Sequence, residues 1–367
     1  MTKSPLQLPA IASHDAILHM RFMAQPEKLP PRSLGLRAGD WIVVRSPEEI
    51  LATLDSDARL DGQPFQPEML AFCGRRLRVS MVAHKTCDNI AKTGGRRLLD
   101  TVHLDGSRCD GSAHGGCQAD CVFFWKESWL RRAEPGAESA SSPVSPIIVP
   151  ELLQLHTRAR GSEHDDDPAW VCQVTTVLDA STLLHWWDLR QYVRDITSGN
   201  HSAWYMVRLQ TGAMYRRFVN FGPGFRAKIA FYNWFQRLTG GKPYPIVSPK
   251  IASGQPTPTA ILDLQPGELV EIRSPAEIDA TITEDGFNRG MRYDMEMRKY
   301  SGERHRVQLR VNRLINEKTG KMLLMKNPCI QLEDVYCRAQ CTDRRLGCPR
   351  ASNTYWREIW LRRVEGE

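Results

Sequence analysis

Gly39-Asp40-Trp41-Ile42-Val43-Val44-Arg45-Ser46-Pro47-Glu48-Glu49-Ile50 returns 228 residues later as Gly267-Glu268-Leu269-Val270-Glu271-Ile272-Arg273-Ser274-Pro275-Ala276-Glu277-Ile278. At the same offset Ala52-Thr53 meets Ala280-Thr281, Glu68-Met69 meets Glu296-Met297, Gly74 meets Gly302, Arg78-Val79 meets Arg306-Val307, and Cys109 meets Cys337. A three-residue insertion then moves the offset to 231. Cys117 meets Cys348, and the run from Trp125 to Arg132 meets the run from Trp356 to Arg363. Matches at one offset with one small gap identify a duplication, with repeat cores at 39–132 and 267–363.

Each repeat opens with an alternating run, Trp41 to Val44 or Leu269 to Ile272, which reads as a strand. Ser46-Pro47-Glu48-Glu49 and Ser274-Pro275-Ala276-Glu277 follow directly. The serine suits an N-cap and the proline suits the first helical position, where its missing N–H costs nothing. The glutamate three residues on closes a capping box. A short helix therefore follows each strand, ending near Leu54 or Ile282. Downstream, Arg306 to Ile315 alternates, Glu317-Lys318-Thr319-Gly320 is a turn, and Lys321 to Met325 returns as a hairpin strand. Each unit closes on a Trp-x-x-x-Trp-Leu strand. The expected fold is mainly β within an α+β class: two small SH3-like β-barrel units, each with one short helix and a cysteine-rich metal site. An unclassified α+β unit is the alternative.

This divides the chain into a first unit at 33–133, a flexible linker at 134–169, a helical, basic and aromatic region at 170–248, and a second unit at 260–365. Pro, Ser and Ala dominate 134–148, and 161–168 is acidic. Trp170 to Thr197 is apolar enough to fold against a unit.

The chain has 367 residues, 41% hydrophobic and 25% charged, with a formal charge of +7. This is an ordinary globular composition, mildly basic, that permits contact with phosphate or anionic lipid without requiring it. Met1 to Gln25 lacks the cationic start and apolar run of a signal peptide. No run of about 18 apolar residues occurs to span a bilayer. The expected location is the cytoplasm, peripheral to the inner face of the membrane if the basic helix described below binds lipid.

In that compartment clustered cysteines bind metal more often than they form disulfides. Of ten cysteines, nine fall in the repeats. The expected ligands are Cys87, Cys109, Cys117 and Cys121 in the first unit and Cys329, Cys337, Cys341 and Cys348 in the second. Cys109 and Cys117 rank highest, because Cys337 and Cys348 repeat them. Cys73, His84 and His114 are secondary candidates. Four thiolates at short spacing close a zinc site or hold an iron–sulfur cluster, and zinc ranks first. The bland reading is a set of buried apolar thiols.

The segment Ile196 to Leu262 contains no acidic residue. Within it, Phe231, Tyr232, Trp234, Phe235 and Leu238 fall on one side of a helical projection, with Arg226, Asn233 and Arg237 on the other. Packing against a repeat unit, interfacial membrane contact through 204–238, and nucleic-acid binding compete, in that order.

Cys109-Asp110-Gly111-Ser112-Ala113-His114 resembles the Cys-Asp-Gly-Ser-His signature of a small [2Fe–2S] family. It departs from that signature by the inserted Ala113 and by lacking the upstream Cys-x-Cys. The longer strings, from Cys109 to Cys121 with Trp125-Lys126-Glu127, and Cys348-Pro349-Arg350 with Tyr355 to Trp360, resemble uncharacterised bacterial proteins found near polysaccharide and specialised-metabolite biosynthesis genes. That resemblance implies a bacterial biosynthetic setting and carries no mechanism. No Walker loop, GxGxxG, HExxH or GxSxG occurs. The leading expectation is a metal-binding accessory protein that grips a protein partner. A metalloenzyme with its site in the first unit comes second. A nucleic-acid-binding protein with paired SH3-like modules comes third.

Overall fold

A computed structural model describes residues 31–134, 149–162, 165–240, 244, 246 and 248–364. Of the linker expected to be flexible, 134–169, residues 135–148 and 163–164 lie outside the described residues, as does 1–30; the described part carries a short helix at Glu151–Leu155.

In the first unit, β1 (Trp41–Val44) runs into α1 (Pro47–Leu51), followed by β2 (Arg76–Val82), β3 (Lys85–Asp88), β4 (Gly94–Arg97), β5 (Thr101–Leu104), β6 (Trp125–Lys126) and β7 (Leu130–Arg132). The antiparallel sheet has the order β6-β5-β2-β1-β7. The hairpin β3–β4 leaves it as a separate arm. After a linker containing β8 (Thr182–Leu184), α2 (Arg190–Thr197), α3 (Ala203–Asn220) and α4 (Phe225–Thr239), the order recurs. β9 (Leu269–Ile272), α5 (Pro275–Asp279), β10 (Arg304–Arg310), the arm β11 (Arg313–Ile315) and β12 (Met322–Leu324), β13 (Ile330–Leu332) and β14 (Leu361–Arg363) follow. Their sheet is β13-β10-β9-β14. The first unit's β5–β6 ladder survives here as one bridge, Ile330 to Trp356.

The molecule is therefore mixed α+β, built of small antiparallel sheets. The SH3-like barrels expected above are not closed: among the described residues no ladder joins the edge strands β6 and β7. The physical reason is the short closing segment. Trp125-Lys126 gives only two strand residues before a 3₁₀ turn at Glu127–Trp129, where a continuous strand was expected.

The capping boxes form in both units. Glu49 Oε2 accepts from Ser46 N at 2.9 Å and Ser46 Oγ from Glu49 N at 3.3 Å; Ser274 and Glu277 repeat the pair at 3.0 and 3.4 Å. The cores correspond position by position. Ile42, Val44, Ile50, Phe65, Met69, Val79, Val102, Trp125 and Trp129 are matched by Val270, Ile272, Ile278, Tyr293, Met297, Val307, Ile330, Trp356 and Trp360. The closing tryptophan of each unit donates its indole N–H to a helix-end threonine, Trp129 to Thr53 at 3.1 Å and Trp360 to Thr281 at 2.9 Å. Such an indole is buried at no polar cost.

The arms are exchanged between the units. The β3–β4 arm reaches the second unit, where Lys85 Nζ donates to Leu346 O at 2.9 Å and Asn89 Oδ1 accepts from Arg345 at 3.0 Å. The β11–β12 arm reaches the first unit, where Gln118 N donates to Arg313 O at 3.1 Å. Asn89 and Glu317, 228 residues apart and hence equivalent, touch each other at 3.3 Å. Self-contact between equivalent residues is the mark of an isologous, two-fold-like interface, here within one chain.

Candidate metal centre

Between β5 and β6 the first unit carries a loop, 105–124, that bears Cys109, Cys117 and Cys121. Its ends are tied by the Arg108 to Val122 bridge and by Cys109 N donating to Cys121 O at 2.9 Å. Gly111 and Gly116 have positive φ, and a Cβ at Gly111 would lie 2.0 Å from Cys117 O, so the turn closes only on glycine. Glu68 pins the loop from beneath. Its Oε1 accepts from Ala113 N at 3.1 Å and from His114 Nδ1 at 2.6 Å. Burial pushes the Glu68 carboxyl up, but the hydrogen bond and charge of His114 outweigh it and hold the group below the usual carboxylate range.

The second unit repeats the device. Glu296 Oε1 accepts from Cys341 N, and the loop ends are tied by Cys337 N donating to Ser352 O at 2.8 Å. Glu296 stands 228 residues after Glu68, so the Glu-Met pair shared by the repeats is the clamp under each cysteine loop.

Cys109, Cys117 and Cys121 line one cavity of about 220 Å³, and the fourth thiol in it is Cys172, from the linker. A cavity needs only about 10–15 Å³ to hold a water, so this one admits a multi-atom group. The second unit's arm walls the opposite side: Ile315 N donates to Cys117 Sγ at 3.4 Å, and Leu314 and Glu317 complete the wall. Burial raises all four thiols, Cys172 to about 11, and ionisation of one raises its neighbours further. Only a bound cation would make several thiolates here favourable.

A second, smaller cavity of about 20 Å³ is lined by Cys87, Cys337 and Cys348. Cys87 stands on the first unit's arm and the other two on the second unit's loop. A hydrogen bond from the Cys348 thiol, then the charges of Arg350 and Arg345, hold Cys87 down to about 5. The buried Arg350 borders both cavities. It pairs with Glu317 at 2.7 Å and donates to Cys87 Sγ at 3.7 Å.

The thiols are thus grouped by space and not by repeat. Cys87, expected beside Cys109, lies with Cys337 and Cys348, because its arm crosses to the other unit. Cys172, the one cysteine outside the repeats, takes the vacated place. No sequence signal marked it beyond the apolar run from Trp170, whose indole packs against His114 with ring centroids 6.1 Å apart. Cys329 borders neither cavity; burial sets its thiol up to about 12. Cys341 lines neither cavity and has its Sγ 3.7 Å from Met295 O, and Cys73 packs on the first core.

Neither histidine faces the cavities with a free ring nitrogen. His114 Nε2 meets Val171 O at 3.0 Å while Nδ1 meets Glu68, so both nitrogens are engaged and the ring is a strut. His84 turns away from Cys87 toward Asp195, 3.3 Å off, where Lys85 also pairs with that carboxylate at 2.6 Å.

Among the described residues, one group of three potential ligand atoms lies within 4.8 Å, that of Glu68, Cys109 and His114. Among the described residues no three cysteine sulfurs lie within 4.8 Å of one another, so no zinc site with its sulfurs roughly 4 Å apart is pre-formed. No family model, curated protein or solved structure was found to match this chain.

Proposed function

We propose that this chain is a metal-binding accessory protein of a bacterial biosynthetic pathway, with two cysteine centres at the seam between its duplicated units. The observation that carries the reading is the convergence of Cys109, Cys117, Cys121 and Cys172 on one cavity of about 220 Å³. Three of these thiols come from a loop pinned by Glu68, and the fourth comes from the linker.

A cavity of about 220 Å³ has room for an iron–sulfur cluster, and that is the occupant proposed for the first centre. Four thiolates and nearby backbone amides are what such a cluster needs. The second centre, Cys87, Cys337 and Cys348, is sized for a single ion. Zinc suits it. The pathway setting is supported by the resemblance of the cysteine and tryptophan strings described above. Open SH3-like sheets stapled by metal at their seam would serve as rigid modules that grip a protein partner.

A metalloenzyme is the second reading. It is favoured by the polar groups of Gln66, Asn89, Asp120 and Asn353 on the wall of the first cavity, which a structural cluster does not need. Anaerobic isolation followed by elemental analysis and an absorption spectrum tests the proposal. Iron with a broad band near the visible is expected, together with zinc; a colourless, metal-free protein of native stability would sink it.

A further inference from the structure

α3 and α4 form a helical hairpin, turned at Gly222-Pro223-Gly224 with Gly224 at φ +85°. It is held by Tyr215 Oη donating to Lys228 O at 2.7 Å, and by Lys228 Nζ donating to Phe218 O and Phe221 O at 3.0 and 2.6 Å. Met206, Leu209 and Ala213 seat α3 on Leu346 of the second cysteine loop. Tyr232 and Ile229 face inward on α4.

What remains outward is the reverse of the usual helix in a globular protein, which hides its apolar stripe. At 100° per residue, Phe231, Trp234, Phe235 and Leu238 occupy one arc of about 100° on α4, opposite Ile229, and all four are exposed. Trp204, Val207, Met214 and Phe218 make a second exposed stripe on α3. Phe221, at the turn, is 81% exposed. At the same 100° per residue, Arg226 and Arg237 lie on the polar flank of α4, about 60–80° beyond the edge of that arc, and both are exposed. The stretch 196–262 holds eight Arg and Lys and no Asp or Glu.

We propose that this hairpin lies in the headgroup layer of an anionic bilayer, with its aromatic stripes at the acyl boundary and the arginines of its polar flank reaching lipid phosphate. Bulky aromatics on one arc with cations on the polar flank are the composition of an interfacial helix. Charge selects the occupant. Residues 203–239 carry six cations and no acid, so pairing the same face of two copies would bring like charges together. Among the described residues no helix is long and apolar enough to cross a membrane, so the proposed contact is peripheral.

The test is flotation of the full chain with vesicles of phosphatidylcholine alone or mixed with phosphatidylglycerol, with tryptophan emission and sedimentation measured on the same samples. The chain should float with the phosphatidylglycerol vesicles, shift its emission to the blue, and lose binding as salt rises. The double substitution F231S/W234S should weaken binding by about a hundredfold, from two aromatic side chains no longer buried. R226Q/R237Q should weaken it by about tenfold. All four positions are exposed, so both variants should melt with the parent protein. Three outcomes overturn the proposal: no flotation with either vesicle; unchanged flotation of F231S/W234S; or a dimer that F231S/W234S dissociates and that binds no lipid. Capture by oligonucleotide with no lipid binding would assign the face to nucleic acid and overturn it as well.

Discussion

Glu68 and Glu296 show how one residue, used twice, shapes both centres. Each is a buried carboxylate whose oxygen accepts a backbone amide of its cysteine loop, from Ala113 and Cys341. A hydrogen bond to a buried charged group contributes about 1.5–3 kcal/mol. Glu68→Gln should therefore destabilise the fold by about 2 kcal/mol in urea titration, and it should lower metal retention at the first centre before global unfolding. Equal metal retention up to the unfolding midpoint would argue against a clamp. Gly111 makes the same point by steric means. Gly111→Ala adds a carbon 2.0 Å from Cys117 O at a φ of +70°. The loop must open, and the expected result is loss of metal from the first centre with the second retained.

At the scale of elements, the sequence was informative where local chemistry decides. Ser-Pro-x-Glu foretold two strand-to-helix junctions that form with both capping hydrogen bonds. The constant offset foretold two matching cores. It was misleading where a segment leaves its unit. The arm bearing Cys87 reads as an ordinary hairpin, and nothing local says that it docks on the other unit. Cys172 is 51 residues beyond Cys121, past a polar linker, and long-range contacts of its neighbours return it to the cavity: Trp170 packs on Gly115 and His114, Val171 O meets His114, and Gln173 bonds to Gln66 and Phe124. The aromatic arc of α4 was legible as amphipathic, but sequence periodicity cannot say which face turns outward. The barrel expected from strand count stays open because its last strand is cut by a 3₁₀ turn.

For the molecule as a whole, buried neutral histidines link stability to pH. Burial holds His84 down to about 3, and holds His103 and His201 down to about 4. In the unfolded chain each titrates near 6.5. Below that value the unfolded state takes up protons that the folded state refuses, so stability is full above about pH 6.5 and falls as pH drops toward 4. Asp195, beside His84, works the other way: burial raises its carboxyl to about 6, so the folded state takes up that proton in the same window and offsets about one histidine. The net slope approaches about 3 kcal/mol per pH unit in mid-window. Thermal melts from pH 7.5 to 4.5 should show it, and His84→Gln should flatten the curve; a flat profile in the parent protein would refute the assignment.

The exchanged arms also make each cavity a joint product of both units, and the linker adds Cys172 to the first. The central claim is that a linker thiol completes the first centre. It is tested most directly by iron and sulfide content per chain in anaerobically prepared C172S, set against C329S and the parent protein. C172S should lose the iron of the first centre while C329S keeps it. Full iron in C172S, or equal loss in C329S, would contradict the account.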